Sequence, residues 1–198
     1  MRKLTREDLR QMGRLALEMR FDHSARILDV RGPGIIPGGR LKIVASLHES
    51  IVAVRTSPAR ELGFARRPEG RWVTLPKVDE VLVVVPVVSD AEKAEVLAYD
   101  ARTLIEAFDA ALAAQGEESS KRFSTAPVFI ALDGEPTVTS GLKSKAKWQM
   151  VVKRSELSKR QQAQPSATAA FLERVKREYA EMSGVDVNKV VIEFKIIT

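Results

Sequence analysis

The run VLVVVPVV, residues 81 to 88, constrains this chain more than any other stretch. Consecutive apolar residues, mostly β-branched, fit neither an amphipathic helix nor a strand with one wet face. They predict a strand covered on both faces, with Pro86 near its end, where a ladder hydrogen bond can be spared. Such a strand needs neighbours beside it and layers above and below. A chain of 198 residues has room for one domain of that kind, or one domain with a small appendage.

The flanking patterns supply the layers. Thr5 followed by Asp8, with Leu9, Met12, Leu15, Ala16 and Met19 at helical spacing, predicts a helix over 5–20, weakened slightly by Gly13. Its Arg6, Arg10, Arg14 and Arg20 fall largely off the apolar stripe. RGPGIIPGGR, residues 31 to 40, is a turn-rich loop without the spacing of a nucleotide-binding glycine motif. LKIVASL and SIVAVRTS, on either side of His48 and Glu49, predict a β-hairpin. WVTL is a short strand, SDAEKA a turn, and AEVLAYD a strand antiparallel to the central one. Asp100 caps a helix, ARTLIEAFDAALAAQ, that Gly116 ends, and PVFIAL at 127–132 is a further strand.

These elements predict a mixed α/β (α+β) fold: a largely antiparallel central sheet built mostly from residues 41–132, flanked by helices at 5–20 and 101–115. The core domain is expected over 1–136 and a basic segment and linker over 137–165. WQMVVK within that segment reads as an edge strand. A C-terminal helix–strand unit is expected over 166–198, where Ser166 caps a helix with Phe171, Val175, Tyr179 and Met182 on one side, Gly184 stops it, and KVVIEFKII follows as a strand. If that last strand pairs across a symmetry axis, the protein is a homodimer.

Composition narrows the chemistry. There is no cysteine, which excludes disulfides, thiolate-bound zinc, iron–sulfur clusters and a cysteine nucleophile. The two histidines, His23 and His48, are too few for a histidine-built metal site, so any metal would be a hard cation such as magnesium held by carboxylates. No apolar run approaches the length of a membrane span and no secretory signal pattern is present, so a cytoplasmic location without membrane association is the expectation. A formal net charge of +6 favours an anionic partner, nucleic acid above all.

Two segments concentrate that charge. Between the hairpin and the central strand lie Arg55, Arg60, Arg66, Arg67 and Arg71, interleaved with Phe64 and Trp72, an arrangement that can join phosphate contacts to base-stacking surfaces. The opposite reading anchors both rings in the core and leaves the arginines solvated or paired. From Gly141 to Ser166, seven Lys or Arg face one Glu. There Lys143, Lys145, Lys147, Trp148, Lys153 and Arg154 are the candidate contacts. Histidine-assisted nucleophilic catalysis has no supporting motif: Thr56 and Ser57 near His48 lack a GxSxG context.

The order helix, hairpin, strand, strand, helix, strand resembles the restriction-endonuclease-like core, the PD-(D/E)xK superfamily. That resemblance implies a magnesium ion held by two carboxylates beside the scissile phosphate and a lysine that activates water. Asp79 of VDEV and Glu95 of AEVLAYD match its two carboxylate positions, whereas Leu97 stands where the family carries lysine. Glu193 and Lys195 form an ExK triplet elsewhere, on one face of the last strand, where a cross-strand ion pair is the plainer reading. RTS, GF, W-TL and VDEV also resemble segments of an uncharacterised bacterial protein family, which implies no activity.

Three functions follow as expectations. The first is nucleic-acid binding on a nuclease-like scaffold that has lost metal catalysis and needs no cofactor. The second is a magnesium-dependent nuclease using Asp79 and Glu95. The third is a non-enzymatic assembly protein with an acidic protein partner.

Overall fold

The computed structural model describes residues 3–21, 24–46, 48–67, 69–115, 127–157 and 167–191. The chain divides into two compact units, Met1–Leu157 and Ser158–Thr198. The first is an α+β unit around a six-stranded sheet.

That sheet contains β1 (Ala25–Asp29), β2 (Arg40–Ala45), β3 (His48–Thr56), β5 (Glu80–Val87), β6 (Asp90–Asp100) and β8 (Trp148–Lys153), in the order β1-β2-β3-β5-β6-β8. All neighbours are antiparallel except β3 and β5, which run parallel. Two further strands, β4 (Glu61–Phe64) and β7 (Val128–Ala131), pair antiparallel as a separate two-stranded sheet. Among the described residues the unit also holds α1 (Arg6–Phe21), α2 (Ala101–Ala114), a single helical turn at 154–157, and two short 3-10 turns, η1 (Leu75–Lys77) and η2 (Leu142–Lys145).

The apolar run behaves as its composition requires. Val81 to Val85 are fully buried, and their side chains alternate between two cores. Leu82 and Val84 meet Leu9, Met12 and Ala16 of α1 on one face. Val81, Val83 and Val85 meet Phe64, Trp72, Phe108 and Ile130 on the other. The β-ladder changes register between Pro86 and Val87, where the missing N–H falls at a bulge.

α1 starts as predicted, on a reciprocal cap. The Asp8 amide donates to Thr5 Oγ1 at 3.1 Å, and the Thr5 amide donates to Asp8 Oδ2 at 2.8 Å. Gly13, read as a weak point, is the place where the helix touches the sheet: a Cβ there would lie 2.8 Å from Val84 Cγ2. The absent side chain permits that close approach.

Several expectations are corrected. WVTL is not a strand: Trp72 makes only an isolated bridge to Arg66, and the chain then turns through Leu75–Lys77, where Pro76 cannot donate to a ladder. The turn at SDAEKA shrinks to Val88 and Ser89, and β6 begins at Asp90. PVFIAL forms β7, which joins β4 rather than the central sheet. ARILD and ELGF, which were not expected as strands, are β1 and β4. Asp100 holds the N-cap position of α2 without a side-chain capping bond. The segment 137–157 belongs to the first compact unit, with Leu142 and Val152 buried in its cores.

In the second unit, α3 (Ala167–Ser183) ends at Gly184, whose φ of +68° is the left-handed conformation of a helix stop. Tyr179 and Met182 are exposed, and Val187–Lys189 form a 3-10 turn. His23, Gly116, Ser166, Glu193, Lys195 and residues 192–197 of the expected last strand lie outside the described residues. No described helix is long and apolar enough to cross a membrane.

Candidate nucleic-acid interface

The face of the central sheet opposite α1 is divided into two halves. Over β5 and β6 it packs against α2, η1 and the β4/β7 pair, which together bury Val83, Leu97 and Tyr99. Over β1 to β3 the alternation of the strands decides what is displayed. Ile27, Leu41, Ile43, Val52 and Val54 pack with α1. Their neighbours therefore face the other way: Arg26 and Leu28 on β1, Arg40, Lys42 and Val44 on β2, and Ile51, Ala53 and Arg55 on β3, of which Ala53 is buried and, with Ile51, already packs into the covered core, so that only β1 and β2 are left open.

The register sets these residues in rows. Arg26 lies beside Val44, Leu28 beside Lys42 and Lys42 beside Ile51, while Arg40 lies beside Ala53. Arg26 and Leu28 are exposed, and Arg40, Lys42 and Val44 are half-buried. Lys42 pairs with Glu49 at 2.6 Å. Neither Arg26 nor Arg40 enters an ion pair among the described residues. The surface thus interleaves cations with aliphatic side chains.

The arginine connector adjoins this half at Arg55. Arg55 Nη2 donates to Thr74 Oγ1 at 2.7 Å, and its guanidinium lies over Phe64, 5.4 Å from the ring centroid. Burial and, second, the Arg40 charge push its proton affinity below the ordinary arginine value. Arg66 lies over Trp72 at 5.5 Å and donates to the Gly70 carbonyl. Arg67 and Arg71 are exposed at the tip of the connector.

Phe64 and Trp72 are committed to the core, so base stacking on them is ruled out. Both rings pack edge-to-face on Phe108, at 5.1 and 5.6 Å, and Trp72 Nε1 donates to Asp109 at 3.0 Å. Trp148 is half-buried with Arg20 over its ring at 4.9 Å.

The lysine-rich stretch disperses rather than forming one patch. Lys143 pairs with Glu95 at 2.5 Å, and Lys147 pairs with Glu80 and Asp100 at 2.8 and 3.0 Å. Arg154 pairs with Asp8 and Glu92. Lys145 and Lys153 are exposed.

Arg60 is half-buried and bound to carboxylates. Unusually for a non-glycine residue, its φ is +57°. It donates to Glu95 Oε2 at 2.8 Å, to the Pro86 carbonyl at 3.0 Å, and to both carboxylate oxygens of Asp133. Burial pushes the Glu95 carboxyl up, but hydrogen bonds from Arg60 and then Lys143 outweigh it and hold Glu95 below its ordinary value. Arg60 likewise lowers Asp133. Tyr99 is fully buried on the same strand face as Glu95, its hydroxyl without a hydrogen-bond partner among the described residues; burial first, then the Glu95 and Asp133 charges, push the phenol up.

This geometry separates the two expected magnesium ligands. β5 and β6 are antiparallel with Glu80 opposite Asp100 and Val85 opposite Glu95. Asp79 therefore lies about 20 Å along the strand from Glu95, at roughly 3.3 Å per residue. Carboxylates sharing a magnesium ion each approach it to about 2 Å. Asp79 Oδ2 instead accepts from the Ile51 amide at 2.7 Å, and Leu97 is buried in the core. Among the described residues no three His, Cys, Asp or Glu side chains are grouped to hold a metal.

Sequence reading singled out Arg55, Arg67 and Arg71 but passed over Arg26, Arg40 and Lys42. Their signal was the two-residue alternation of ARILD and RLKIVA, which puts the cations on the face opposite the aliphatic residues. Comparison with known proteins finds no match: no family model, no curated protein and no solved structure resembles the chain.

Proposed function

We propose that this protein binds nucleic acid through its phosphate backbone, using the open half of the sheet and the adjoining connector. The observation that carries this reading is the set of cations at alternate positions on β1 and β2, displayed on an uncovered sheet face with Glu49 the one paired carboxylate among them. Arg26, Arg40 and Lys42, with Arg55 beside Arg40 and the exposed Arg67 and Arg71 of the connector, are the phosphate donors of this reading. Because Phe64 and Trp72 are packed inside, contacts come from charge and aliphatic surface rather than from stacked bases.

The reading is of a binding protein rather than a nuclease. Asp79 and Glu95 sit too far apart to share magnesium, and Arg60 and Lys143 already neutralise Glu95.

Fluorescence anisotropy with labelled DNA and RNA, across a salt series, tests this. Phosphate contacts release condensed counterions, so log K should fall linearly with log salt, with a slope of about −0.9 per phosphate neutralised on duplex DNA. Arg26→Gln should reduce that slope by about one contact. Binding that is indifferent to salt, or absent at low salt, overturns the proposal and favours an acidic protein partner.

A further inference from the structure

Where the open and covered halves of the sheet face meet, two like charges stand together. Arg55 follows Ala53 by two residues on β3, and Ala53 lies beside Arg40 on β2, so the two arginines are diagonal neighbours on the same face. Arg55 is also opposite Val83 of the central strand, which fixes it at the border. Antiparallel diagonal neighbours lie about 7–8 Å apart, close enough for both guanidinium groups to grip one small anion.

The hydrogen bonding at this border is incomplete. Arg55 donates through Nη2 to Thr74, while its buried Nε has no acceptor among the described residues. Neither Arg40 nor Arg55 enters an ion pair among the described residues. A partly buried guanidinium normally finds acceptors for its donors, and a second cation beside it adds repulsion that an anion would cancel. Thr74 Oγ1 accepts from Arg55, which leaves its own hydroxyl proton to be donated elsewhere.

We infer that Arg40 and Arg55, with the Thr74 hydroxyl, form a seat for a single phosphate group. This deepens the nucleic-acid reading and rests on it: the seat is the point where one backbone phosphate is held by a two-arginine clamp, while the contacts at Arg26, Lys42, Arg67 and Arg71 are looser and solvated. The ligand chemistry is the tetrahedral phosphate oxygens, which inorganic phosphate shares with a phosphodiester. Planar guanidinium forks match those oxygens two at a time, which ammonium groups do not.

The test uses the full chain and two ligands. Inorganic phosphate is titrated by isothermal calorimetry, and labelled DNA and RNA by anisotropy, against wild type, Arg40→Gln, Arg55→Lys and Arg26→Gln. Arg102→Gln, on the exposed face of α2, is the control. The expected result is one saturable phosphate site, weakened at least tenfold by Arg40→Gln and by Arg55→Lys and unchanged by Arg26→Gln and Arg102→Gln. Nucleic-acid affinity should fall further for Arg40→Gln than for Arg26→Gln. Urea unfolding of each variant keeps the test sound should Arg55→Lys perturb the fold, since Arg40 is half-buried and carries the test alone. Absence of saturable phosphate binding, or phosphate binding indifferent to Arg40, overturns the seat. Equal losses of nucleic-acid affinity for Arg40→Gln and Arg26→Gln also overturn it while leaving the broader proposal standing. Phosphate binding with no nucleic-acid binding does the reverse.

Discussion

On the covered half of the sheet face, Arg60, Lys143 and Lys147 each meet carboxylates at hydrogen-bonding distance. On the open half, Lys42 meets Glu49 alone, and Arg26 and Arg40 meet no carboxylate among the described residues. The paired cations lie on segments beside the sheet and the unpaired ones on its strands; what differs is the number of carboxylates within reach. Lys143 and Lys147, 39% and 47% exposed, meet their carboxylates at the surface, whereas Arg60 and Glu95 are only 17% and 12% exposed, and a charge so deprived of water must be neutralised by its neighbours. Beside open solvent it can remain uncompensated, and so remains available to a ligand. Charge density along the sequence therefore misleads: Lys143, Lys147 and Arg154 of the lysine-rich stretch are engaged in internal pairs, while Arg26 and Arg40 of β1 and β2 meet no carboxylate among the described residues.

The sharpest way to break this contrast is at Glu95. Glu95→Ala removes the partner that Arg60 and Lys143 share and, with Arg60 still held by Asp133, should cost about 2–3 kcal/mol in urea unfolding, with nucleic-acid affinity unchanged. An equal loss of binding would show that the covered cluster takes part in recognition. Next is the converse, Arg26→Glu with Lys42→Glu. This pair should weaken nucleic-acid binding roughly 30-fold, about 2 kcal/mol, and leave stability within about 0.5 kcal/mol of wild type.

A third test uses acid. Glu95 and Asp133 have folded-state pKa values below their ordinary ones, so the folded state binds fewer protons than the unfolded chain as pH falls. Their stabilisation is complete above the ordinary carboxylate range and is lost as pH drops through that range and below it. Urea midpoints measured downward from neutral pH should decline there, and Glu95→Gln should flatten the decline. A steeper decline in Glu95→Gln than in wild type would contradict the assignment. The smallest effect is expected at Arg102→Gln, whose partner Glu106 lies on an exposed helix face. Its stability should stay within about 0.5 kcal/mol of wild type.

Much of the fold was legible because it is written in local periodicity. Thr5 and Asp8 announce α1, the valine run announces a strand covered twice, and WQMVVK reads correctly as an edge strand. The strands that escaped notice, ELGF and ARILD, are short and lean on partners elsewhere. β4 exists because β7 pairs with it across more than sixty intervening residues, and no local pattern encodes that pairing. The site was legible only in part for the same reason. Arg60 looks like a loop arginine until Asp133, 73 residues away, turns inward to meet it. Alternation in RLKIVA does show two cations on one face. Which face lacks a covering layer depends on where β4, β7 and α2 go, and periodicity is silent on that.

The placement of β8 has a consequence during synthesis. β8 is made after β6, its sheet neighbour, by nearly fifty residues, and Arg154 just beyond it pairs with Asp8 near the start of α1. While a ribosome is still producing residues 101–147, the Ala94–Ala98 edge of β6 has no strand to pair with, although its backbone groups and apolar side chains are already made. Such an edge invites the wrong partner. Slow decoding or truncation in that interval would expose nascent chains to one another on crowded polysomes, and the last turn of the unit to emerge would be the one that ends their vulnerability.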